Sequence, residues 1–386
     1  MRERVGIVAV AQTSYEAAHD WWRSHELTSQ TVEKVLEETG LNWAKDGTGI
    51  DSTVSCSNWI MEGRAISNVS HGDVAGSHLR CEVKVSTEGA NAVAFAMIQI
   101  LSGKYDVILV TSCCKESNTN QSIVDNFCFE PIFHQKLGLD FAQAAALQQT
   151  RYMHKCGISR EQCAGVVVKN RKNGLRNPNV RFSADLGLEE VMNAPMKAYP
   201  ITSQEIRPVC DGACTLILAT EEKAKKLTDR PVWITGMGQS YDVHFLGDRE
   251  LAESLSLQEA AKQAYKMAEI ADPAKELDLA EVSEHHAYEE LLWTEGLGLC
   301  QPGEGGKLLD SGATQMGGGI PVNPSGGVLS GNPRLVAGMV RVVEGALQLR
   351  EEAGERQIDG ARRALAHGTN GPCGQEHCVL ILEKGF

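Results

Sequence analysis

Four cationic side chains, Arg171, Lys172, Arg176 and Arg181, fall within one short stretch of the chain, a grouping that suits phosphate oxygens. Ordinary solvated charge explains such a stretch as well. Two glycine-rich turns open onto apolar helical patterns. One is Ser86-Thr87-Glu88-Gly89, ahead of residues 90–101; the other is Asn323-Pro324-Ser325-Gly326-Gly327, ahead of residues 335–349. A helix N-terminus carries unpaired amides and the positive end of the helix dipole, so both turns are places to hold an anion. Glu88 stands one residue before the helix glycine, either as a base or as favourable charge at the helix start. His285 and His286 lie just past a strand-like run, where an imidazole can either move protons or pack as core. The 12 cysteines include no Cys-x-x-Cys, and Cys113 and Cys114 are adjacent, so they read as reduced core residues. His377 between Cys373 and Cys378 forms an incomplete cluster, and no metal is expected.

The chain that must position these groups has 386 residues, 42% hydrophobic and 23% charged, a globular composition long enough for two or three domain-sized units. A formal net charge of −13 with scattered Lys and Arg argues against a nucleic-acid partner. No apolar run reaches membrane-spanning length and no signal peptide precedes the first strand-like segment, so a cytoplasmic location is expected, with no membrane partner. An internal repeat organises the rest. Residues 4–13, R-V-G-I-V-A-V-A-Q-T, return as R-P-V-W-I-T-G-M-G-Q-S at 230–240. Each copy precedes an amphipathic helix (28–39 and 256–271) and then a second strand, ending in Val54-Ser55-Cys56 and Val282-Ser283-Glu284. A glycine-rich turn, a long apolar helix and a third strand follow in each. Two such β-α-β-α-β halves with a mostly parallel sheet predict a duplicated, layered α/β fold. The expected units are 1–120, an inserted loop or lid domain at 121–229, and 230–386.

Five segments in order along this chain resemble the thiolase superfamily, in its sterol-carrier-protein-x-like and archaeal-type branch. They are Ser102-Gly103-Lys104-Tyr105-Asp106 with its apolar strand; Lys169-Asn170-Arg171-Lys172-Asn173-Gly174 with Asn177-Pro178; Cys210-Asp211-Gly212-Ala213; Glu284-His285-His286-Ala287-Tyr288; and Asn323-Pro324-Ser325-Gly326-Gly327. The resemblance implies an αβαβα thiolase fold and an acyltransferase acting on acyl-coenzyme A, with coenzyme A as substrate or product. It also implies a homodimer and, in this branch, a small zinc-binding OB-fold partner subunit. Its overall run suggests cleavage of 2-benzoylsuccinyl-CoA with CoA to benzoyl-CoA and succinyl-CoA. A retro-aldolase of the lipid-transfer-protein type on steroid side-chain CoA esters, and a non-catalytic scaffold subunit, are the alternatives.

The departures from the family pattern matter for chemistry. Where the family has its nucleophilic cysteine this chain has Ser86, whose hydroxyl is almost wholly protonated at neutral pH. The family's Gly-His-Pro reads Gly331-Asn332-Pro333, exchanging a base for an amide donor. The resemblance then leaves His285 to handle the α-proton with support from His367, Asn323 and Asn332 to stabilise oxyanions, and Cys373 as the alternative to His367 in the C-terminal motif. Arg171, Lys172, Arg176, Arg181, Gly326 and Gly327 are the expected coenzyme A contacts.

Overall fold

The computed structural model describes residues 4–44, 47–58, 60 and 68–386. Eleven strands are described: β1 (Val5–Gln12), β2 (Ser52–Cys56), β3 (Cys81–Val85), β4 (Val107–Lys115), β5 (Met196–Ala198), β6 (Ile201–Thr202), β7 (Asp211–Thr220), β8 (Val232–Tyr241), β9 (Leu279–Glu281), β10 (Arg363–Asn370) and β11 (Glu376–Lys384). Nine of them form one sheet in the order β3-β2-β4-β7-β1-β8-β11-β10-β9. Read outward from its middle, that order is the same on both sides, apart from the extra edge strand β3. At the centre β1 and β8 run antiparallel, with Gly6 opposite Trp233. Those two residues are counterparts when 5–10 is laid on 232–237, so an approximate twofold passes between them.

Alternation along the strands sorts side chains into layers. In β4, Ile108 and Val110 face a core that also holds Ala90, Val93 and Met97 of the helix Gly89–Leu101 and Val336, Met339 and Val343 of the helix Arg334–Leu349. Val107 and Leu109 face away, toward Val32 and Val35 of the helix Ser24–Thr39. In the other half, Cys378, Leu380 and Leu382 point to the central helix pair, while Val379 and Ile381 meet Leu257, Ala261 and Ala264 of the helix Leu255–Ala268. Helix, sheet half, helix pair, sheet half, helix is the expected αβαβα stack, and it explains why the two central helices are buried on most of their surface.

Three expectations change. The sheet is not mostly parallel: only β2–β3, β2–β4 and β9–β10 pair in parallel, because β7 and β11 return antiparallel beside their neighbours. The second half's strand ends at Glu281, leaving 282–284 as loop, because Val282 donates its amide to the Asn323 side chain instead of a neighbouring strand. The 121–229 segment is not all insertion either. Its β7 sits between β1 and β4 in the central sheet, its ten residues all buried. We propose that the inserted part ends before β7 and consists mainly of the helices Phe141–Cys156 and Arg160–Gly174 with the β5–β6 hairpin.

Candidate active site

Three connections meet at one small pocket. The loop after β9 brings His285 and Glu289, the start of the helix Arg334–Leu349 brings Arg334, and the β10–β11 turn brings Thr369, Gly371 and Cys373. The pocket volume is about 10 Å³, room for about one water molecule. His285 is fixed through its backbone: its amide donates to Glu289 Oε2 at 2.7 Å and its carbonyl accepts from the Arg207 amide at 2.9 Å. Its Nε2 is buried and has no partner. Burial, then the charges of Arg207 and Arg334, hold the imidazole pKa well below its ordinary value, so His285 is neutral at physiological pH. That makes it a weak base and a usable neutral hydrogen-bond donor. His286 caps the helix Ala287–Gly296, its Nδ1 2.9 Å from Glu289 Oε1.

Cys373 adopts a left-handed backbone conformation, φ 54°, at the turn. Arg249 Nη2 donates to its carbonyl at 2.6 Å. Burial pushes its thiol up to about 12, so the group is a thiol that can give a proton, not a resting thiolate. His367 lies elsewhere, inside β10. Its Nε2 is 2.8 Å from His377 Nδ1, and its Nδ1 accepts from the Ser283 amide at 3.4 Å. His377 Nε2 continues the chain to Ser254 Oγ at 3.0 Å. Burial brings the His367 pKa down to about 3, and both ring nitrogens are occupied. Of the two C-terminal candidates, Cys373 shares a pocket with His285 and His367 does not line it.

Behind the pocket lies a buried network of carboxylates and amides. Asn323 uses its side chain completely: Oδ1 accepts from the Val282 amide at 2.8 Å, and Nδ2 donates to Glu284 Oε2 and Glu290 Oε2, both at 2.9 Å. Asn170 Nδ2 binds the same two carboxylates at 2.9 and 2.7 Å, and Lys169 pairs with Glu290 at 3.0 Å. Asn323 therefore has no donor left for an oxyanion. Burial and the neighbouring Glu290 raise the Glu284 pKa. Asn332 is half committed: its Oδ1 accepts from Arg341 Nη2 at 2.6 Å, while its Nδ2 is buried without a partner. Gly326 and Gly327 leave no room for a side chain. A Cβ on Gly326 would stand 2.7 Å from Gly174 Cα, and one on Gly327 would overlap Glu284.

Ser86 is exposed at the end of β3, its carbonyl accepting from Asn58 Nδ2 at 3.2 Å. Glu88 two residues on is buried as the N-cap of the next helix, with Oε1 accepting from the Asn91 amide at 3.1 Å and Oε2 unpartnered. Burial pushes its pKa up to about 8, and the nearby Glu376 adds to the rise. A carboxyl whose pKa rises on folding holds its proton more tightly in the folded state. Its contribution is intact below the unfolded value of about 4.5 and is lost as pH climbs toward about 8. Glu88→Gln should therefore raise the melting temperature at the alkaline end of that window and flatten the pH dependence there. Thermal unfolding of both proteins across the window checks this; parallel curves would mean that Glu88 ionises without penalty.

The cationic stretch is dispersed. Arg171 is buried, donates to the Phe182 carbonyl, and has its pKa lowered to about 10 by burial. Arg176 points to Met316 Sδ at 3.3 Å, and Arg181 donates to the Pro178 carbonyl at 2.6 Å. Lys172 is exposed and lines a cavity of about 530 Å³ with Ser159, Leu188, Leu309 and Gln315. A second cavity, of about 610 Å³, is walled by Leu137, Leu147, Leu246 and Leu251 and reaches Arg249, the residue that holds the Cys373 carbonyl. Among the described residues no group of three His, Cys, Asp or Glu is arranged to hold a metal ion. The same residues include no helix long and apolar enough to cross a membrane. Sequence reasoning passed over Arg334, although it directly follows the Gly-Asn-Pro triplet.

Comparison with known proteins agrees with this architecture. Residues 238–384 match the family model described as thiolase C-terminal domain-like. An acetyl-CoA acetyltransferase of Methanothermobacter thermautotrophicus is 32% identical over 289 residues, 74% of this chain and 75% of that protein. A benzoylsuccinyl-CoA thiolase subunit of Thauera aromatica is 32% identical over 59% of this chain and 60% of its own length. Rabbit sterol carrier protein 2 is 33% identical over 61% of this chain and 44% of its own length. Among solved structures, an Ltp2-ChsH2(DUF35) aldolase superposes with a TM-score of 0.84 at 19% identity, covering 98% of this chain and 97% of the other. Human mitochondrial 3-ketoacyl-CoA thiolase gives 0.75 at 16% identity over 99% of both chains. With the layered fold, the boxes that carry the site and a relative of this similarity across three quarters of its length, the chain belongs to the thiolase family of acyltransferases.

Proposed function

We propose that this chain catalyses retro-Claisen cleavage of a 3-oxoacyl-CoA by coenzyme A without an acyl-enzyme. The observation that carries this reading is the Cys373 thiol in the same pocket as His285, together with an exposed serine where the family's nucleophile belongs. Coenzyme A would release its thiol proton to solvent and its sulfur would attack the ketone carbon. As the carbon–carbon bond breaks, the electron pair passes into the thioester enolate. Cys373 gives its proton to the enolate carbon and regains one derived from the coenzyme A thiol, so two thioesters leave and the enzyme is unchanged. The apolar cavity of about 610 Å³ beyond Arg249 suits an apolar acyl portion, and Lys172 at the cavity of about 530 Å³ suits a phosphate of coenzyme A. The relative from Thauera aromatica supports 2-benzoylsuccinyl-CoA as the first substrate to try. A homodimer and a small zinc-binding OB-fold subunit are proposed as partners, the latter on the strength of the DUF35-containing aldolase assembly. The absence of a nucleophilic cysteine equally suits carbon–carbon cleavage of an aldol substrate, so a steroid side-chain CoA ester is the second substrate class.

The test is incubation with coenzyme A and each thioester, with and without the partner, followed by mass spectrometry of products and of the protein. Ser86→Ala should lower kcat modestly, about tenfold or less, because a hydroxyl that only donates a hydrogen bond contributes about 1 kcal/mol. An acyl group trapped on Ser86, or loss of all turnover in Ser86→Ala, would restore a covalent route through that serine.

A further inference from the structure

Two residues that line the one-water pocket each carry a buried polar atom with no partner, His285 Nε2 and Arg334 Nε. Each leaves a donor or acceptor unsatisfied in a water-poor site, which is costly unless something occupies the space between them. The occupant's size follows from the volume: about 10 Å³ holds a single oxygen atom and its hydrogens, not a carboxylate or a phosphate. Its charge follows from the walls. Arg334 brings a permanent cation, Glu289 has both carboxyl oxygens engaged by His285 and His286, and His285, kept neutral beside Arg207 and Arg334, adds a dipole. An oxygen that gains negative charge during reaction fits both.

Arg334 is also held as a pre-positioned donor should be. Its amide donates to Glu116 Oε1 at 2.9 Å, its Nη1 to Asp125 Oδ1 at 2.7 Å, and its guanidinium lies over the Phe141 ring at 4.0 Å. Glu116 in turn takes a two-pronged hydrogen bond from Arg207, at 2.7 and 2.8 Å, whose amide binds the His285 carbonyl. One carboxylate thus ties the backbone positions of both groups together. Asp125 engages one end of the guanidinium and leaves the Nε–H without a partner.

We propose that Arg334, with His285, forms the oxyanion site of this enzyme, its Nε–H and the imidazole Nε2–H holding the thioester oxygen as it becomes an enolate. The proposal rests on the reading of this pocket as the thioester site. It gives a cation the work that neutral donors would do if Asn323 were free.

The test uses acetyl-CoA labelled with carbon-13 at the carbonyl as probe, bound to the full chain, with infrared spectroscopy of the carbonyl band. In the wild type the band should move to lower frequency on binding. Arg334→Met should bind the probe but lose most of that shift, and Arg334→Lys, which keeps the charge without the Nε–H, should recover little of it. A wild-type protein that binds the probe with an unshifted band, or an Arg334→Met variant with the full shift, overturns the role of Arg334 and leaves the thioester reading standing. No binding of the probe by the wild type at millimolar concentration overturns both. An unshifted wild-type band overturns the proposal even where the variants fail to fold.

Discussion

Cys373→Ala is expected to lower kcat for cleavage by on the order of a thousandfold while leaving binding of the thioester nearly unchanged. A positioned acid contributes about 10²–10⁴ in rate. Cys373 is a pocket group that can both give and recover a proton, while both Glu289 oxygens are already engaged by His285 and His286. The thiol's pKa of about 12 predicts the shape of the pH profile as well. It stays protonated throughout the physiological range, so the rate should not fall near neutrality on its account. Cys373→Ser should sit close to Cys373→Ala, since a hydroxyl is a much weaker acid than this thiol. Steady-state kinetics with separate kcat and KM settle it: a Cys373→Ala enzyme within tenfold of wild type would remove Cys373 from the reaction.

The largest effect on stability is expected at Arg341, far from any surface. Its Nη1 donates to Glu281 Oε2 at 2.8 Å and to Ser325 Oγ at 2.9 Å, and its Nη2 holds Asn332 at 2.6 Å. Ser325 closes the ring with its own hydroxyl on Glu281 at 2.6 Å and its amide at 3.0 Å. Arg341→Met leaves Glu281 as a buried carboxylate without its cation, which costs about 3–5 kcal/mol. Burial already raises the Glu281 pKa and Arg341 opposes that rise, so the variant's loss should be smaller in acid, where Glu281 takes up a proton. Chemical denaturation of the variant at two pH values reads both effects. The double change Arg341→Met with Glu281→Gln should recover part of the loss, and failure to do so would mean that the charge pair is not what fails.

Much of the fold is legible in the chain because repetition and alternation are local signals. The pair of segments at 4–13 and 230–240 pointed to the duplication, and their strands meet at the centre of the sheet. The strands β7 and β10 were missed because each carries a motif, Asp211-Gly212-Ala213 and His367-Gly368-Thr369, whose small polar residues look like loop, and the partners of β7 are distant in sequence. The site was legible in its boxes and not in its roles. His285 and Cys373 come together as the box positions suggest, yet Asn323 looks like a free amide until Glu284, Glu290 and the Val282 amide are placed around it. Arg171 looks like a phosphate ligand until Phe182 covers it. Burial decides both cases, and burial comes from contacts that no local spacing records.

The carboxyl of Glu88 occupies space that two other residues leave vacant. A Cβ at Gly338 would overlap Glu88 Oε2, and a Cβ at Gly368 would overlap Oε1. These three positions lie on a turn, a helix and a strand, separated by up to most of the chain's length, and a change of size at one presses on the others. A descendant that gains alanine at 338 or 368 must move or shorten the glutamate, and one that shortens it alone is left with a hole at the crossing of the two central helices. Drift at this spot therefore passes through a poorer intermediate in either order, which would keep Glu88, Gly338 and Gly368 inherited together even if none of them ever touched a substrate.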